Sequence, residues 1–288
     1  MGKDSRIEWT HHTFNPWWGC VNVSAACDHC YAESWAKRVG SNVWGPHAER
    51  RFFSDAHWRE PLKWNAEAAL SGRRRVFCAS MADVFENRPD LKDPRARLFD
   101  LIAATPNLDW LLLTKRIHLV NKLMPKGRSL PANVWLGTTV ENQEYADKRI
   151  PDLLSHVEAT VRFLSCEPLL GPLAISKYLA PAKGAGVDWL IAGGESGPGS
   201  RPMNPEWAEG LQRQCREAKV PFHFKQWGHW APLGALDGAP RKSARTINVF
   251  RGSQQIELVG VGKAAAGRLL QGKTWDQLPK SMSEIAEP

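Results

Sequence analysis

Three of the six cysteines lie close together near the start of the chain, in the arrangement Cys20-x6-Cys27-x2-Cys30. Three thiolates from one loop can bind three irons of a cubane cluster, and the absence of a fourth thiolate leaves one iron with an open coordination position. A substrate or cofactor can then bind the metal directly. The spacing therefore predicts a [4Fe–4S] cluster on these three cysteines, with one iron available to a ligand.

Two alternatives stay open for the same cysteines. Zinc would need a fourth ligand, for which His29, His11 and His12 are the candidates. A closed zinc site more often has a second pair of ligands at short spacing elsewhere in the chain, and the sequence shows none. The other alternative is three thiols without a metal. Disulfide bonds are not expected, because the cytosol, where we expect this protein, keeps thiols reduced.

A second group of chemically active residues follows a series of short apolar runs. If these runs are the strands of a parallel β/α barrel, the loops after them share one face, and their polar residues converge there. The sequence therefore predicts a site at that face. Its candidate residues are Ser80, Asp83, Lys115, Arg116, Thr139, Glu141, Asn142, Glu167, Glu195 and Lys225.

The basic members of this group are the candidate catalytic residues Lys115, Arg116 and Lys225. One interpretation is that they bind a phosphate or a carboxylate, for which the planar guanidinium of Arg116 is suited. The other is that they pair with acidic residues inside the barrel, because buried charges need partners. The sequence favours neither.

The elements that must position these residues are predicted from the apolar pattern. Each run is continuously apolar, as in strands buried on both faces, and helix-like segments lie between the runs. This alternation predicts an α/β fold, a partial or complete parallel TIM-like barrel. The predicted strands are Arg75–Ala79, Asp109–Leu113, Val134–Thr138, Val161–Ser165, Asp188–Ala192, Val220–Phe224 and a first strand near Ile7–Thr10 or Phe14–Trp18. The predicted helices are Cys30–Val39, Leu62–Ser71, Arg95–Ala104, Glu144–Leu154 and Pro205–Ala218.

The last part of the chain has a different pattern. Thr246–Phe250 and Gln255–Val259 predict a hairpin, and Lys263–Leu270 predicts a short helix. We therefore expect a barrel domain over residues 1–233, carrying the cysteine loop, and a C-terminal hairpin-helix appendage over residues 234–288.

The net charge of +8 favours polyanionic partners, nucleic acid first, with a solvated basic surface as the alternative. Basic clusters occur at Arg73–Arg75, Lys115-Arg116 and Arg241-Lys242. No apolar run has the length of a signal peptide or approaches the about 20 apolar residues that span a bilayer. We therefore expect a cytoplasmic protein with no membrane partner.

The cysteine loop, followed by Tyr31 and by alternating strands and helices, resembles the radical S-adenosylmethionine superfamily. The chain as a whole more closely resembles a phage-associated family of unknown function known for its three-cysteine motif. This resemblance covers nearly the full chain. The matching stretches are Asn15–Cys20, Ser80–Phe85, Leu113–Arg116, Glu167–Pro172, Gly193–Gly197, Phe224–Gly228, Gly262-Lys263, Gly267-Arg268 and Thr274-Trp275.

The superfamily resemblance implies that S-adenosylmethionine binds the open iron and is reduced there to methionine and a 5′-deoxyadenosyl radical. It implies an acceptor for the methionine ammonium group, for which Ser80 and Asp83 are candidates, and a ribose contact from Glu141 or Asn142. The full set of expected cofactor-binding residues is Ser80, Asp83, Thr139, Glu141, Asn142, Glu167 and Glu195.

The charge and the phage association together favour nucleic acid or a nucleotide as substrate, in repair or modification. A catalytic protein of this kind would need an electron donor such as a flavodoxin or ferredoxin. A partner protein encoded nearby is a further expectation. The alternative function is a non-catalytic iron–sulfur or zinc protein that binds nucleic acid or such a partner protein.

Overall fold

The structure is a computed structural model that describes residues 2–179, 186–236, 238–241 and 243–279. Short 3₁₀ turns accompany the regular elements. The strands are β1 (His12–Thr13), β2 (Trp17–Trp18), β3 (Arg51–Phe52), β4 (Arg74–Cys78), β5 (Leu108–Thr114), β6 (Val134–Thr139), β7 (Val161–Cys166), β8 (Trp189–Gly193), β9 (Phe222–Gln226), β10 (Trp230–Pro232), β11 (Arg245–Arg251) and β12 (Gln254–Gly260). The helices are α1 (Tyr31–Arg38), α2 (Asp55–Ser71), α3 (Lys92–Ala103), α4 (Val120–Leu123), α5 (Gln143–Leu154), α6 (Ser176–Leu179), α7 (Pro205–Ala218) and α8 (Lys263–Ala266).

Seven parallel strands form the central sheet, in the order β1-β4-β5-β6-β7-β8-β9. Helices α2, α3, α5 and α7 connect its strands, so the α/β fold with a partial TIM-like barrel is confirmed. All residues of β6, β7 and β8 are buried, which explains why these strands read as continuous apolar runs. The carboxyl ends of all seven strands lie at one edge.

The two faces of the sheet bury different apolar clusters. The face toward the helices belongs to the large core. The concave face carries an aromatic cluster that includes Trp9, Trp135, Phe163 and Trp189. A Cβ on Gly137 would lie 2.3 Å from the Phe163 ring, so this position in β6 has room only for glycine. The concave interior is therefore filled with large aromatic side chains below the strand ends.

The first strand is at a position that the sequence did not indicate. It is His12–Thr13, which lies between the two predicted segments. Of those segments, only Trp17–Trp18 forms a strand, and it pairs with β3 in a separate two-stranded sheet. The prediction was wrong because a two-residue strand is too short to produce a hydrophobic pattern.

Helix α7 illustrates the opposite case, where local signals determined the element. Asn204 caps the helix by accepting a hydrogen bond from the Glu206 amide at 3.0 Å, and Pro205 occupies the first turn. The predicted bounds Pro205–Ala218 are those observed.

The C-terminal hairpin is confirmed as β11 and β12, but the helix after it ends at Ala266 rather than Leu270. Strand β10 joins this hairpin in a three-stranded sheet, across the predicted boundary at residue 234. Residues 275–277 then lie along the free edge of β9, where Phe224 N donates to Trp275 O at 2.9 Å. The end of the described chain thus covers an edge strand of the barrel.

Within the described residues, none of the helices combines the length and apolar character that crossing a bilayer requires.

Candidate functional site

A cavity of about 450 Å³ lies at the carboxyl ends of the parallel strands. Cys20, Cys27 and Cys30 all line it, so the structure brings the three cysteines of the loop to the predicted face of the barrel. Eight of the ten strand-end candidates line the same cavity. They are Ser80, Asp83, Lys115, Arg116, Thr139, Glu167, Glu195 and Lys225.

The first cysteine is held by a buried ion pair. Arg116 Nη1 lies 2.8 Å from Asp83 Oδ2 and donates to Cys20 Sγ at 3.6 Å, while Nη2 donates to the Val21 carbonyl at 2.8 Å. Both side chains of the pair are 8% exposed. Burial opposes the charge of Arg116, but Asp83 and the Cys20 sulfur raise its pKa above the ordinary value. We call Asp83 and Arg116 the first clamp.

Both oxygens of Asp83 already have donors. Oδ1 accepts from the Thr114 hydroxyl at 2.7 Å and from the Phe85 amide at 3.0 Å. Oδ2 accepts from the Lys115 amide at 3.1 Å in addition to Arg116. Asp83 therefore joins the loop after β4 to the loop after β5 and fixes the guanidinium against Cys20.

The second half of the cysteine loop is held by a separate network. Glu195 Oε2 lies 2.9 Å from His29 Nδ1, and Arg201 donates to both Glu195 oxygens, with Nη2 to Oε1 at 2.5 Å. Arg201 also donates to Ala25 O at 2.8 Å and pairs with Asp28 at 3.2 Å. Burial opposes the charge of Glu195, but the Arg201 and His29 hydrogen bonds lower its pKa. Glu195 and Arg201 form the second clamp.

Two glycines let the loops after β8 and β9 touch through their backbones. A Cβ on Gly194 would lie 1.9 Å from Trp227 O, and one on Gly228 would lie 2.2 Å from Glu195 O. Gly228 also has a φ of +89°, which side chains rarely adopt. His229 N donates to Glu195 O at 2.8 Å across this contact. The close approach fixes the backbone that carries Glu195.

Tyr31 makes a third attachment between the cysteine loop and the sheet. Its hydroxyl donates to the Ser80 carbonyl at 2.8 Å. The Ser80 hydroxyl accepts from Asn15 Nδ2 at 3.0 Å, and Asn15 Oδ1 accepts from the Met81 amide at 2.7 Å. The segment after β4 is thereby tied to residues before and after the first cysteine.

The remaining basic candidates differ in their partners. Lys225 Nζ lies 2.7 and 2.8 Å from the two oxygens of Glu167, and Gln226 Nε2 donates to Glu167 at 3.3 Å. Lys115, by contrast, has no carboxylate partner for its ammonium group within the described part of the chain. Two of the three basic candidates, Arg116 and Lys225, thus follow the ion-pair interpretation of the sequence.

The structure does not bring Glu141 and Asn142 to the cavity. Glu141 is fully buried and pairs with Arg149 at 2.8 Å, on the helix side of the sheet. Asn142 caps α5 by accepting from the Tyr145 amide at 3.1 Å. The predicted ribose contacts therefore have structural partners instead, because the chain enters α5 directly after β6. Cys166 is likewise fully buried in the helix-side core and does not line the cavity.

The thiols of Cys20 and Cys30 are shifted toward their protonated form. Burial raises the pKa of Cys20 to about 11, the Asp83 carboxylate adds to this effect, and Arg116 opposes it. Burial also raises the pKa of Cys30, while backbone donors and Lys115 oppose the shift. Thiolates are the form that binds metal, so metal binding must displace protons here.

The donor types fit an iron–sulfur cluster. Three thiols of one loop share one cavity, and a guanidinium 3.6 Å from Cys20 Sγ offers positive charge to a bound thiolate. Among the described residues, no group of three His, Cys, Asp or Glu side chains is close enough together to hold a metal ion. The fit therefore rests on donor type and on the shared cavity.

The basic clusters of the sequence are dispersed. Arg73 and Arg75 lie at the amino end of β4, opposite the cavity, where Arg73 pairs with Asp109 at 2.7 Å and Arg75 Nε donates to Trp9 O at 3.0 Å. Arg241 lies in the C-terminal appendage, and Lys242 is outside the described residues. Among the described residues of the three basic clusters, only Lys115 and Arg116 line the cavity.

Sequence reasoning missed several residues of the site. Arg201 lies six positions after Glu195 in the same glycine-rich loop, and that proximity was the available signal. Trp9 and Trp44 line the cavity, as does Lys263 of the appendage. Gly262-Lys263 belongs to the family resemblance, but the sequence does not indicate that Lys263 reaches the barrel, because its position depends on a long-range contact.

Comparisons with known proteins give the following results. A search of the curated proteins finds no significant match. Among solved structures, a point mutant of spore photoproduct lyase is similar, with 12% identity and a TM-score of 0.45 over 90% of this chain and 71% of that chain. Residues 4–279 match the family described as "Protein of unknown function (DUF5131)". The chain belongs to this DUF5131 family.

Proposed function

We propose that the chain is a radical S-adenosylmethionine-type enzyme that carries a [4Fe–4S] cluster on Cys20, Cys27 and Cys30 and acts on nucleic acid or a nucleotide. The observation that carries this proposal is the shared cavity. Three thiols from one loop meet the strand-end residues of a partial barrel there, and two clamps hold the loop from opposite ends.

The residues of the cavity divide the work between holding the loop and receiving ligands. A bound cluster of this type supplies one electron to the sulfonium of S-adenosylmethionine. Arg116 holds Cys20 and faces its sulfur, while Glu195 and Arg201 hold the segment that carries Cys27 and Cys30.

The ion pairs in the cavity limit the number of acidic residues that can contact the cofactor. Asp83 accepts two hydrogen bonds on each carboxylate oxygen, and the Glu195 carboxylate has four hydrogen bonds, whereas that of Glu167 has three, so Glu167 keeps more capacity to accept from an ammonium group. Thr139 and Glu167 line the cavity, and Glu167 shares its charge with Lys225 alone among charged groups of the described residues. We therefore assign the polar contacts with the cofactor first to Glu167, then to Ser80 and Thr139.

The substrate assignment rests on charge. A net charge of +8 favours a polyanion, and a duplex would need local opening to bring a base or sugar to the cavity. A flavodoxin or ferredoxin is the proposed electron donor, and a protein encoded nearby is a proposed partner.

The cluster is tested by anaerobic reconstitution with iron and sulfide. Cys20→Ala, Cys27→Ala and Cys30→Ala should each abolish the brown chromophore, because three thiolates are the minimum for this type of cluster. Cys215→Ala is the matched control, since that thiol is buried in the helix-side core, and it should retain the chromophore. Zinc at full occupancy in protein purified without oxygen would contradict the proposal.

Catalysis is tested by supplying S-adenosylmethionine to the reduced, cluster-loaded protein and measuring 5′-deoxyadenosine. We expect slow formation even without substrate, and none from the Cys20→Ala protein. Cluster-loaded protein that neither binds S-adenosylmethionine nor forms 5′-deoxyadenosine would reject the enzyme. A non-catalytic iron–sulfur protein that binds nucleic acid or a partner would then be the better account.

A further inference from the structure

The acidic side chains that line the cavity are all neutralised within the described residues. Asp83 pairs with Arg116, Glu167 pairs with Lys225, and Glu195 pairs with Arg201. Each carboxylate of the lining is therefore offset by a cation of the chain. Any basic group of the lining without such a partner therefore adds net positive charge to the cavity.

Two lysines of the lining are in that position. Neither Lys115 nor Lys263 has an ion-pair partner in the described ranges. Lys115 lies near Cys30, where its charge favours the thiolate and would face the anionic cysteines of a cluster. Lys263 is exposed at the first turn of α8 and has no comparable partner. Within the described residues, no acidic group offsets the charge of Lys263.

A series of backbone hydrogen bonds determines the position of Lys263. His229 N donates to Glu195 O, and His229 O accepts from both Val261 N and Gly262 N at 3.1 Å. Helix α8 begins directly after these two residues. Its last residue, Ala266, is fully buried and anchors the helix. Lys263 is therefore attached to the same loop as Glu195 and belongs to the site, although it comes from the C-terminal appendage.

We infer that Lys263 is a substrate-binding residue that contacts a phosphate group of a nucleotide or a nucleic-acid strand. This inference rests on the proposed function and names the substrate chemistry of the same cavity. A single exposed ammonium group suits a phosphate oxygen, which it binds as a point charge. The appendage would thus complete the site by supplying the charge that selects an anionic substrate.

The experiment measures binding by the full-length, anaerobically reconstituted protein. The probe is a fluorescent ten-nucleotide single strand, titrated at several salt concentrations, with thymidine 5′-monophosphate and thymidine as competitors. Lys263→Gln should weaken binding about 5- to 10-fold at low salt. The salt slope, which is the slope of the logarithm of the binding constant against the logarithm of the salt concentration, should fall in magnitude by about 0.7, the value for one lost phosphate contact on a single strand. Lys263→Arg should restore most of both, because it keeps the charge.

Lys273→Gln is the matched control, because Lys273 is an exposed lysine of the same appendage that has no ion-pair partner among the described residues and does not line the cavity. It should bind like the wild type. If thymidine 5′-monophosphate displaces the strand and thymidine does not, the cavity recognises the phosphate of a mononucleotide. If neither displaces the strand but binding still weakens with salt, the ligand is a nucleic-acid strand.

The inference is overturned if Lys263→Gln binds the strand as the wild type does, or if Lys273→Gln loses as much affinity. Iron content and substrate-free 5′-deoxyadenosine are measured on the same samples. If the wild type contains no iron and forms no 5′-deoxyadenosine, the proposed function is rejected. If the wild type has both and the salt dependence of binding by Lys263→Gln equals that of the wild type, only the phosphate contact is rejected.

Discussion

The two ends of the cysteine loop are held in different ways. At the first end, Arg116 and Asp83 are both 8% exposed, and the guanidinium contacts the sulfur of Cys20 itself. At the second end, Arg201 is 30% exposed and contacts the loop through Ala25 O and Asp28 rather than through a sulfur. The first clamp therefore acts on a ligand atom, whereas the second acts on the shape of the loop. Their loss should have different consequences for stability and for metal binding.

The largest effect is expected from Arg116→Met. The change leaves Asp83 buried without its cation, and breaking a buried pair in this way costs about 3–5 kcal/mol of unfolding free energy. It also removes the positive charge next to Cys20, so iron uptake should fall strongly. Urea unfolding and iron analysis after reconstitution measure the two effects.

Arg149→Met is the matched control for Arg116→Met. The pair of Arg149 with Glu141 is equally buried, at 6% and 0% exposed, but lies outside the cavity. This variant should lose comparable stability and keep its iron. Equal iron loss in both variants would mean that the first clamp acts only through general stability.

A smaller effect is expected from Glu195→Gln. The amide keeps the shape of the side chain but loses the charge that holds Arg201 and His29, at a cost of about 1–3 kcal/mol. Iron should still be incorporated but should be released faster to a chelator, because the loop is less constrained. Asp109→Asn, which weakens the pair with Arg73 at the opposite edge of the sheet, is the control and should leave iron release unchanged. Complete loss of iron uptake in Glu195→Gln would show that the second clamp also acts directly on the ligands.

The smallest effect concerns pH and a residue outside both clamps. Burial lowers the pKa of His223 to about 4, Arg268 adds to this shift, and Asp276 opposes it. Because the folded pKa is below the ordinary value of 6.5, the contribution to stability is present above pH 6.5 and is lost as pH falls toward 4. His223→Leu should therefore flatten the dependence of the unfolding free energy on pH in this window.

His118→Leu, which replaces an exposed histidine, is the control, and the unfolding free energies of both variants are measured over the same pH range. Part of the pH dependence of the unfolding free energy should remain in His223→Leu, because burial also lowers the pKa of His11 to about 4. An unchanged slope in His223→Leu would exclude this histidine as a source of acid sensitivity.

The fold was predictable where burial leaves a pattern in the sequence. Strands β6, β7 and β8 are buried along their whole length, and short apolar runs mark each of the strands β4 to β9. Asn204-Pro205 marks the start of α7 through local capping. Strand β1 was not predictable, because a strand of two residues is too short to show a hydrophobic pattern. The end of α8 at Ala266 was also missed, because Leu270 packs in the large core without being part of a helix.

The site was predictable only in part, because a residue type does not specify its partner. The sequence offered Glu141 and Glu167 as equivalent acidic residues after neighbouring strands. One faces the helices and pairs with Arg149, whereas the other faces the cavity and pairs with Lys225. A shift of one position along a strand moves a side chain to the other face of the sheet. In the short loop between a strand and a helix, the direction of a side chain is fixed without any periodic pattern that the sequence could show.

By itself, the sequence determined the three grouped thiols, the parallel β/α order and the clustering of polar residues at one edge of the sheet. These properties follow from spacing and from apolar runs, which are local. Only the tertiary structure decided that Asp83 and Glu195 hold the cysteine loop through arginines, and that Lys263 of the appendage joins the cavity. These contacts join residues far apart in the chain, and their geometry depends on how the loops after the strands pack, including the glycine contacts that let two backbones touch.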